Sequence, residues 1–125
     1  MVNLLFNAEE DVRVLAASVL GVCLTFADDA VFDSIVRTTI LTTSVAELSS
    51  EEQHGRCVAL GQLLKYNGER SVPYHTEIIH NVTLYLKTDN LMIRKSAISV
   101  CKYVLNSYNM MTEENKVGAE GVRDG

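Results

Sequence analysis

Apolar residues recur at three- and four-residue steps along most of this chain, and that spacing marks one face of an α-helix. In the first stretch Val12, Leu15, Ala16, Val19, Leu20, Cys23 and Phe26 form such a stripe. In a later one Ile93, Ala97, Val100, Cys101, Val104, Leu105 and Tyr108 do the same, and a weaker stripe joins Cys57, Leu60, Gly61 and Leu64. Partner helices lie between them. One carries Phe32, Ile35, Val36 and Ile40, and the other Ile78, Ile79, Val82, Tyr85 and Leu86.

Polar punctuation supplies the boundaries. Asp28 or Asp29 suits the N-cap of the Phe32 helix, where a short carboxylate accepts from free N–H groups. Ser49 with Glu52 has capping-box spacing ahead of the Cys57 helix. Asn67-Gly68 is expected to end that helix, and Pro73, tolerated only near a start, to open the next. Thr88-Asp89-Asn90 reads as the turn into the Ile93 helix.

Three of these helices align with one another. Val12 to Gly21, Glu52 to Gly61 and Ile93 to Lys102 superpose with Arg13, Gln53 and Arg94 in register, spaced 40 and then 41 residues apart. A period of roughly 40–47 residues belongs to the HEAT and armadillo class. An unrelated helical bundle would not need that regularity. The expected fold is therefore all-α, a HEAT-repeat α-solenoid of antiparallel helix pairs. Residues 1–27 make a partial repeat (the end of one helix plus its partner), 28–67 and 68–109 are whole repeats, and 110–125 form a disordered tail or the truncated start of a next repeat.

The ends shape that expectation. Residues 1–7 are apolar and short, like the last turn of a preceding helix. The segment 117–125 carries three glycines and no stripe, which suggests disorder. Solenoids need polar caps to be soluble alone, so a piece of a longer array is expected.

Composition narrows the function. At 125 residues the chain is one domain at most, and 47% hydrophobic content suffices for a core. One proline and no tryptophan, without alternating β-branched runs, favour helix over sheet. The formal net charge of −5 speaks against a direct DNA binder, which needs clustered Lys and Arg. No apolar run approaches the roughly 18 residues of a membrane span, and the start has no positive n-region, so neither membrane nor secretion is expected. Cys23, Cys57 and Cys101 are odd in number and far apart, which fits packed free thiols in a reducing cytoplasm.

Chemistry for catalysis is missing from the pattern. His75 and His80 are five residues apart, which sets them about 140° apart on a helix, whereas zinc helices use the i, i+4 pair. There is no CxxC, no GxSxG, no GxGxxG and no Walker-type loop. The His-Glu dipeptides of the HEAT-like metal enzyme deoxyhypusine hydroxylase are absent as well. No catalytic residue, metal site or cofactor is expected. Asn81-Val82-Thr83 fits the glycosylation pattern by chance.

Arginines and glycines carry what specificity remains. Arg13 and Arg94, with Gly21 and Gly61, occupy repeat-signature positions and are expected to be structural. The middle repeat departs from the pattern, because Arg56 stands where its neighbours have Ala16 and Ala97. Gly55 beside it weakens a helix by about 1 kcal/mol relative to alanine. Broken local rules of this kind mark candidate sites. His54 and Arg56 are the candidate partner-binding residues, the alternative being an outward-pointing Arg56 in a poorly fitting repeat.

The string His54-Gly55-Arg56-Cys57-Val58-Ala59-Leu60-Gly61 resembles the His-Gly-Arg-Ser-x-Ala-Leu segment of the general-control translational activator of the initiation-factor-2α kinase. In that family it follows a repeat similar to Glu10-Asp11-Val12-Arg13 with Ala16, Leu20 and Gly21, as here. The resemblance covers roughly residues 8–106. Gln53 stands where the family usually has Arg, and Cys57 where it has Ser. The resemblance implies a long, non-catalytic solenoid in the cytoplasm. It would bind the ribosome and the RWD domain of the kinase, promoting kinase activation when amino acids run short. Other readings are a HEAT scaffold of transport-receptor or phosphatase-subunit type, and a ribosomal RNA contact through Arg94, Lys95 and Lys102.

Overall fold

The structure, a computed structural model, describes residues 2–106. Six helices follow one another: α1 (Val2–Leu5), α2 (Glu10–Leu24), α3 (Asp29–Ile35), α4 (Ser50–Tyr66), α5 (His75–Leu86) and α6 (residues 91–106). There is no strand among the described residues. Tyr108 and the segment 110–125 lie outside them.

Local chemistry sets each start. The Asp28 side chain accepts from the Val31 amide at 2.9 Å, which decides between the two aspartates for α3. Ser49 Oγ accepts from the Glu52 amide at 3.2 Å and opens α4. Asn90 Oδ1 accepts from the Met92 amide at 3.0 Å and the Ile93 amide at 3.4 Å, so the last residue of the expected turn is the cap of α6. Pro73 sits in a short 3₁₀ turn, Val72–Tyr74, that leads into α5. α4 stops at Tyr66 ahead of Asn67-Gly68.

Two layers result. α2, α4 and α6 lie side by side with α4 in the middle. Gly21 of α2 abuts Gln62 and Tyr66 of α4, and Gly61 of α4 faces Val100 and Tyr103 of α6. α3 and the start of α5 form the other layer, where the Phe32 and Tyr74 rings stand 6.0 Å apart. The core between the layers holds Leu20, Leu24, Phe32, Val36, Ile40, Leu60, Leu63, Ile78, Tyr85, Ile93 and Val100.

Four stripes differ from expectation. In α2 the buried set is Arg13, Ala16, Ala17, Leu20, Gly21 and Leu24. Of the expected stripe only Ala16 and Leu20 are buried; Leu15, Val19, Cys23 and Phe26 are exposed. The cause is that α2 is apolar on two sides and α4 covers the one carrying the small residues. Ile79 and Leu86 of α5 and Leu105 of α6 also face outward. The middle stripe is wider than expected, since α4 buries His54, Gly55, Ala59 and Leu63 besides Cys57, Leu60, Gly61 and Leu64. Buried positions thus run most of the way round α4, because neighbours lie on more than one side of it, while Glu51, Lys65 and Tyr66 stay exposed.

The α3 helix does not keep its register. Val36–Ile40 is a π turn, closed by the Leu41 amide donating to the Val36 carbonyl at 2.8 Å. Its sequence, Val-Arg-Thr-Thr-Ile, is mostly β-branched and a weak α former. Single π turns inside helices are rare, and this one has a long-range cause described below.

Candidate partner-binding site

The three signature positions share one task, and the geometry shows what it is. Arg13 Nη1 donates to the carbonyls of Asn7 at 2.8 Å and Ala8 at 3.0 Å. Arg94 Nη1 donates to the Thr88 carbonyl at 2.8 Å, again six residues upstream. Gln53 Nε2 donates to Val45 at 3.0 Å and Leu48 at 3.1 Å. Each side chain fastens the loop before its helix to the first turns of that helix, satisfying carbonyls that the loop leaves unpaired.

Arg13 goes further than Arg94. Although a cation, it is buried. Its Nε donates to His54 Nδ1 at 3.0 Å, and its Nη2 lies 3.7 Å from Met92 Sδ. One guanidinium thereby joins the α1–α2 loop, α4 and α6. Accepting at Nδ1 places any proton of a neutral His54 ring on Nε2. Burial, then the adjacent Arg13 charge, holds the His54 pKa below its ordinary value, against a smaller opposing effect of Glu10.

His54 is 3% exposed and spent on this contact, so it presents no surface to a partner in this arrangement. Arg56 is half-buried and points inward as well. Its Nη1 donates to the carbonyls of Thr39 at 2.8 Å, Leu41 at 3.1 Å and Thr38 at 3.4 Å. The end of α3 is thus capped by a cation from α4, which favours the helix's negative end. It also gathers the carbonyls around the π turn. The guanidinium carbon lies 5.2 Å from the Phe6 ring centroid. Replacement of a packing alanine by Arg56 is therefore neither a poor fit nor an outward projection.

Gly55 has an equally local reason. A Cβ there would run into the Leu5 carbonyl and the Phe6 ring, because α1 crosses α4 at that point. Gly21 is also tight, with Gln62 Cβ at 2.9 Å from an added methyl. At Gly61 the nearest atom would be 3.8 Å away, an ordinary contact.

Three further residues, Arg70, Asn67 and Asn81, do similar work that the repeat pattern does not assign to them. Arg70 donates to the carbonyls of Leu24 at 2.8 Å and Ala27 at 2.9 Å, capping α2 from the turn after α4, and stacks 4.1 Å from the Phe32 ring. Asn67 Nδ2 donates to the Gly21 carbonyl at 2.9 Å. Asn81 Nδ2 and Oδ1 pair with the carbonyl and amide of Thr42, both at 2.9 Å. Asn81 is 2% exposed, which closes it to a glycosyl donor in the folded chain. Such amides were detectable in principle as polar residues at core positions of a helix.

The remaining candidates separate. His75 is buried and His80 exposed, and no group of three His, Cys, Asp or Glu among the described residues could hold a metal ion. Cys57 is buried, Cys101 half-buried and Cys23 exposed, so the expectation of packed thiols fails at Cys23. Burial pushes the Cys57 thiol up to about 12. No described helix is long and apolar enough to cross a membrane.

Two paired layers of helices, stapled at a 40-residue period by Arg13, Gln53 and Arg94, are the frame of a HEAT array. The family described as stalled ribosome sensor GCN1-like HEAT repeats matches residues 1–120. The chain belongs to that family. It is the family that the His54–Gly61 string resembles. Neither the curated proteins nor the solved structures give a match. In this GCN1-like HEAT segment the most distinctive string is thus also the joint at which α1, α2, the end of α3 and α4 meet.

Proposed function

We propose that this chain is a non-catalytic scaffold segment acting at the ribosome. It supports activation of the initiation-factor-2α kinase by engaging the kinase's RWD domain in the cytoplasm during amino-acid starvation. The observation that carries the reading is the family match over residues 1–120. Repeats at 28–67 and 68–109, with the partial repeat at 1–27, supply the rigid surface. His54 and Arg56 take part as its frame: they hold Arg13 and the Thr38–Leu41 turn in place and so fix the ridge that a partner would meet.

A pull-down of the full chain on immobilised RWD domain tests this. Retention is expected, and Arg56→Ala should lower it by loosening the turn, while Cys23→Ala on the outer side of α2 should leave it unchanged. Failure of the unaltered chain to bind the RWD domain would contradict the kinase part of the reading. Failure to sediment with ribosomes would contradict the other part.

A further inference from the structure

The outer layer holds a cleft between α3 and α5. Its volume is about 580 Å³, within the roughly 300–1,000 Å³ of ligand pockets. One wall is the turn Leu41, Thr42 and Thr43 after α3, and the other is Thr76, Glu77 and His80 of α5. Arg37, in the π turn Val36–Ile40, lines the cleft as well, and such turns are frequent at functional sites. The first wall is held from behind. Asn81 pairs with the amide and carbonyl of Thr42, both at 2.9 Å, and Arg56 donates to the Thr39 and Leu41 carbonyls at 2.8 and 3.1 Å. A wall clamped in this way loses little conformational freedom when a ligand arrives.

Charge selects the occupant. Arg37 is already compensated: its Nε donates to Asp33 Oδ1 at 2.9 Å, and its guanidinium carbon lies 5.1 Å from the Tyr74 ring centroid. Tyr74 Oη donates to the same Asp33 oxygen at 2.6 Å. These bonds, Tyr74's first and then Arg37's, hold the Asp33 carboxyl below its ordinary pKa, so Asp33 stays charged. Glu77 Oε1 stands 3.9 Å from Arg37 Nη1, outside hydrogen-bond reach, with its side chain 47% exposed. The surroundings are acidic too. Residues 28–43 and 68–86, which hold α3 and α5, carry Asp28, Asp29, Asp33, Glu69 and Glu77 against Arg37 and Arg70. Arg70 is spent on the Leu24 and Ala27 carbonyls and on Asp29. A cation is therefore favoured in the cleft, and a phosphate is not.

We propose that this cleft is a docking site for an arginine or lysine side chain on a basic segment of a partner protein. The cationic head would meet the Glu77 carboxylate, and its apolar stem would lie along Leu41 and the threonine methyls. The site is independent of whether the RWD domain binds this chain.

Titration of the isotope-labelled full chain with an octapeptide of alternating glycine and arginine, followed by amide shifts, tests the site. Shifts should concentrate at Thr43, Thr76, Glu77 and His80, saturate, and weaken as salt is added. An octapeptide of alternating glycine and glutamate should leave these amides unmoved. Glu77→Gln should lower the affinity for the arginine peptide about fivefold. Arg37→Gln should raise it by about the same factor, because it removes the cation that competes for Glu77. Glu51→Gln with Glu52→Gln, on the first turn of α4, should change it little. Circular dichroism melts check that each variant is folded. An arginine peptide that leaves the amides of the cleft unmoved would overturn the proposal. So would shifts that the glutamate peptide produces and Arg37→Gln abolishes, which would make the cleft an anion site. Equal losses from Glu77→Gln and from the paired Glu51 and Glu52 changes would overturn it as well, since the peptide would then be answering the net charge of the chain.

Discussion

Helices α2 and α4 are both apolar on more than one side, yet α4 has its sides occupied and α2 leaves one open. In α4, α1 and α2 press on one flank and α6 on the other, so Gly55, Leu60, Leu63 and Leu64 are all buried. In α2 only the flank carrying Ala16, Leu20 and Leu24 is covered, and Leu15, Val19, Val22 and Phe26 stand free. The two helices align in sequence, so their difference comes from position in the array. The middle helix is therefore enclosed on both flanks, and α2 on one, by the described neighbours.

Truncating core residues should show the contrast most strongly. Leu60→Ala in α4 is expected to cost about 2–5 kcal/mol, whereas Leu15→Ala in α2 should fall within about 0.5 kcal/mol of zero. Urea unfolding of both variants checks this, and equal losses would erase the distinction. Next in size come the glycines. Gly55→Ala must displace the Leu5 carbonyl and should destabilise by about 1–3 kcal/mol. Gly61→Ala meets only ordinary contacts and should gain up to about 1 kcal/mol through helix propensity. Thermal melts should show opposite shifts, and a neutral Gly55→Ala would contradict the close approach of α1 to α4.

These pairs also mark how far the sequence could be read. The period, the helices, the caps at Asp28 and Ser49 and the start at Pro73 all follow from local chemistry, and local chemistry is written in the sequence. Which side of α2 faces inward is not local. An inner set that begins with Arg13 looks polar until His54, some 41 residues on, supplies an acceptor for it. The π turn at Val36–Ile40 depends likewise on Arg56 reaching back to Thr38, Thr39 and Leu41. His54 and Arg56 stood out in the sequence because they break the repeat's rule, but a broken rule does not say whether a residue serves a partner or the fold. Here the hydrogen bonds run inward.

A smaller effect distinguishes the Arg13–His54 joint by pH. The folded pKa of His54 is lowered from 6.5, and burial lowers that of His75 in the same direction. The unfolded chain therefore takes up protons first as pH falls through about 6.5, and stability is lost from there down to the folded pKa. It is fully present above that window. Denaturation midpoints at pH 7.5 and 5.5 should differ in this sense, with a smaller difference in His54→Gln, whose amide can still accept from Arg13. The smallest effect is kinetic. At neutral pH a thiol reagent should modify exposed Cys23 quickly and Cys57 only as the chain opens, since the Cys57 thiolate is scarce and buried. Equal rates would mean that α4 is less enclosed than described.

The claim on which the rest depends is that the His54–Arg56 turn of α4 is the fastened centre of the segment. Native-state hydrogen exchange, resolved by residue, tests it most directly. Amides from His54 to Leu64 should exchange only through global unfolding, more slowly than those of α1 and of the outer turns of α2. Exchange of the His54–Leu64 amides through local opening, as fast as α1, would contradict it.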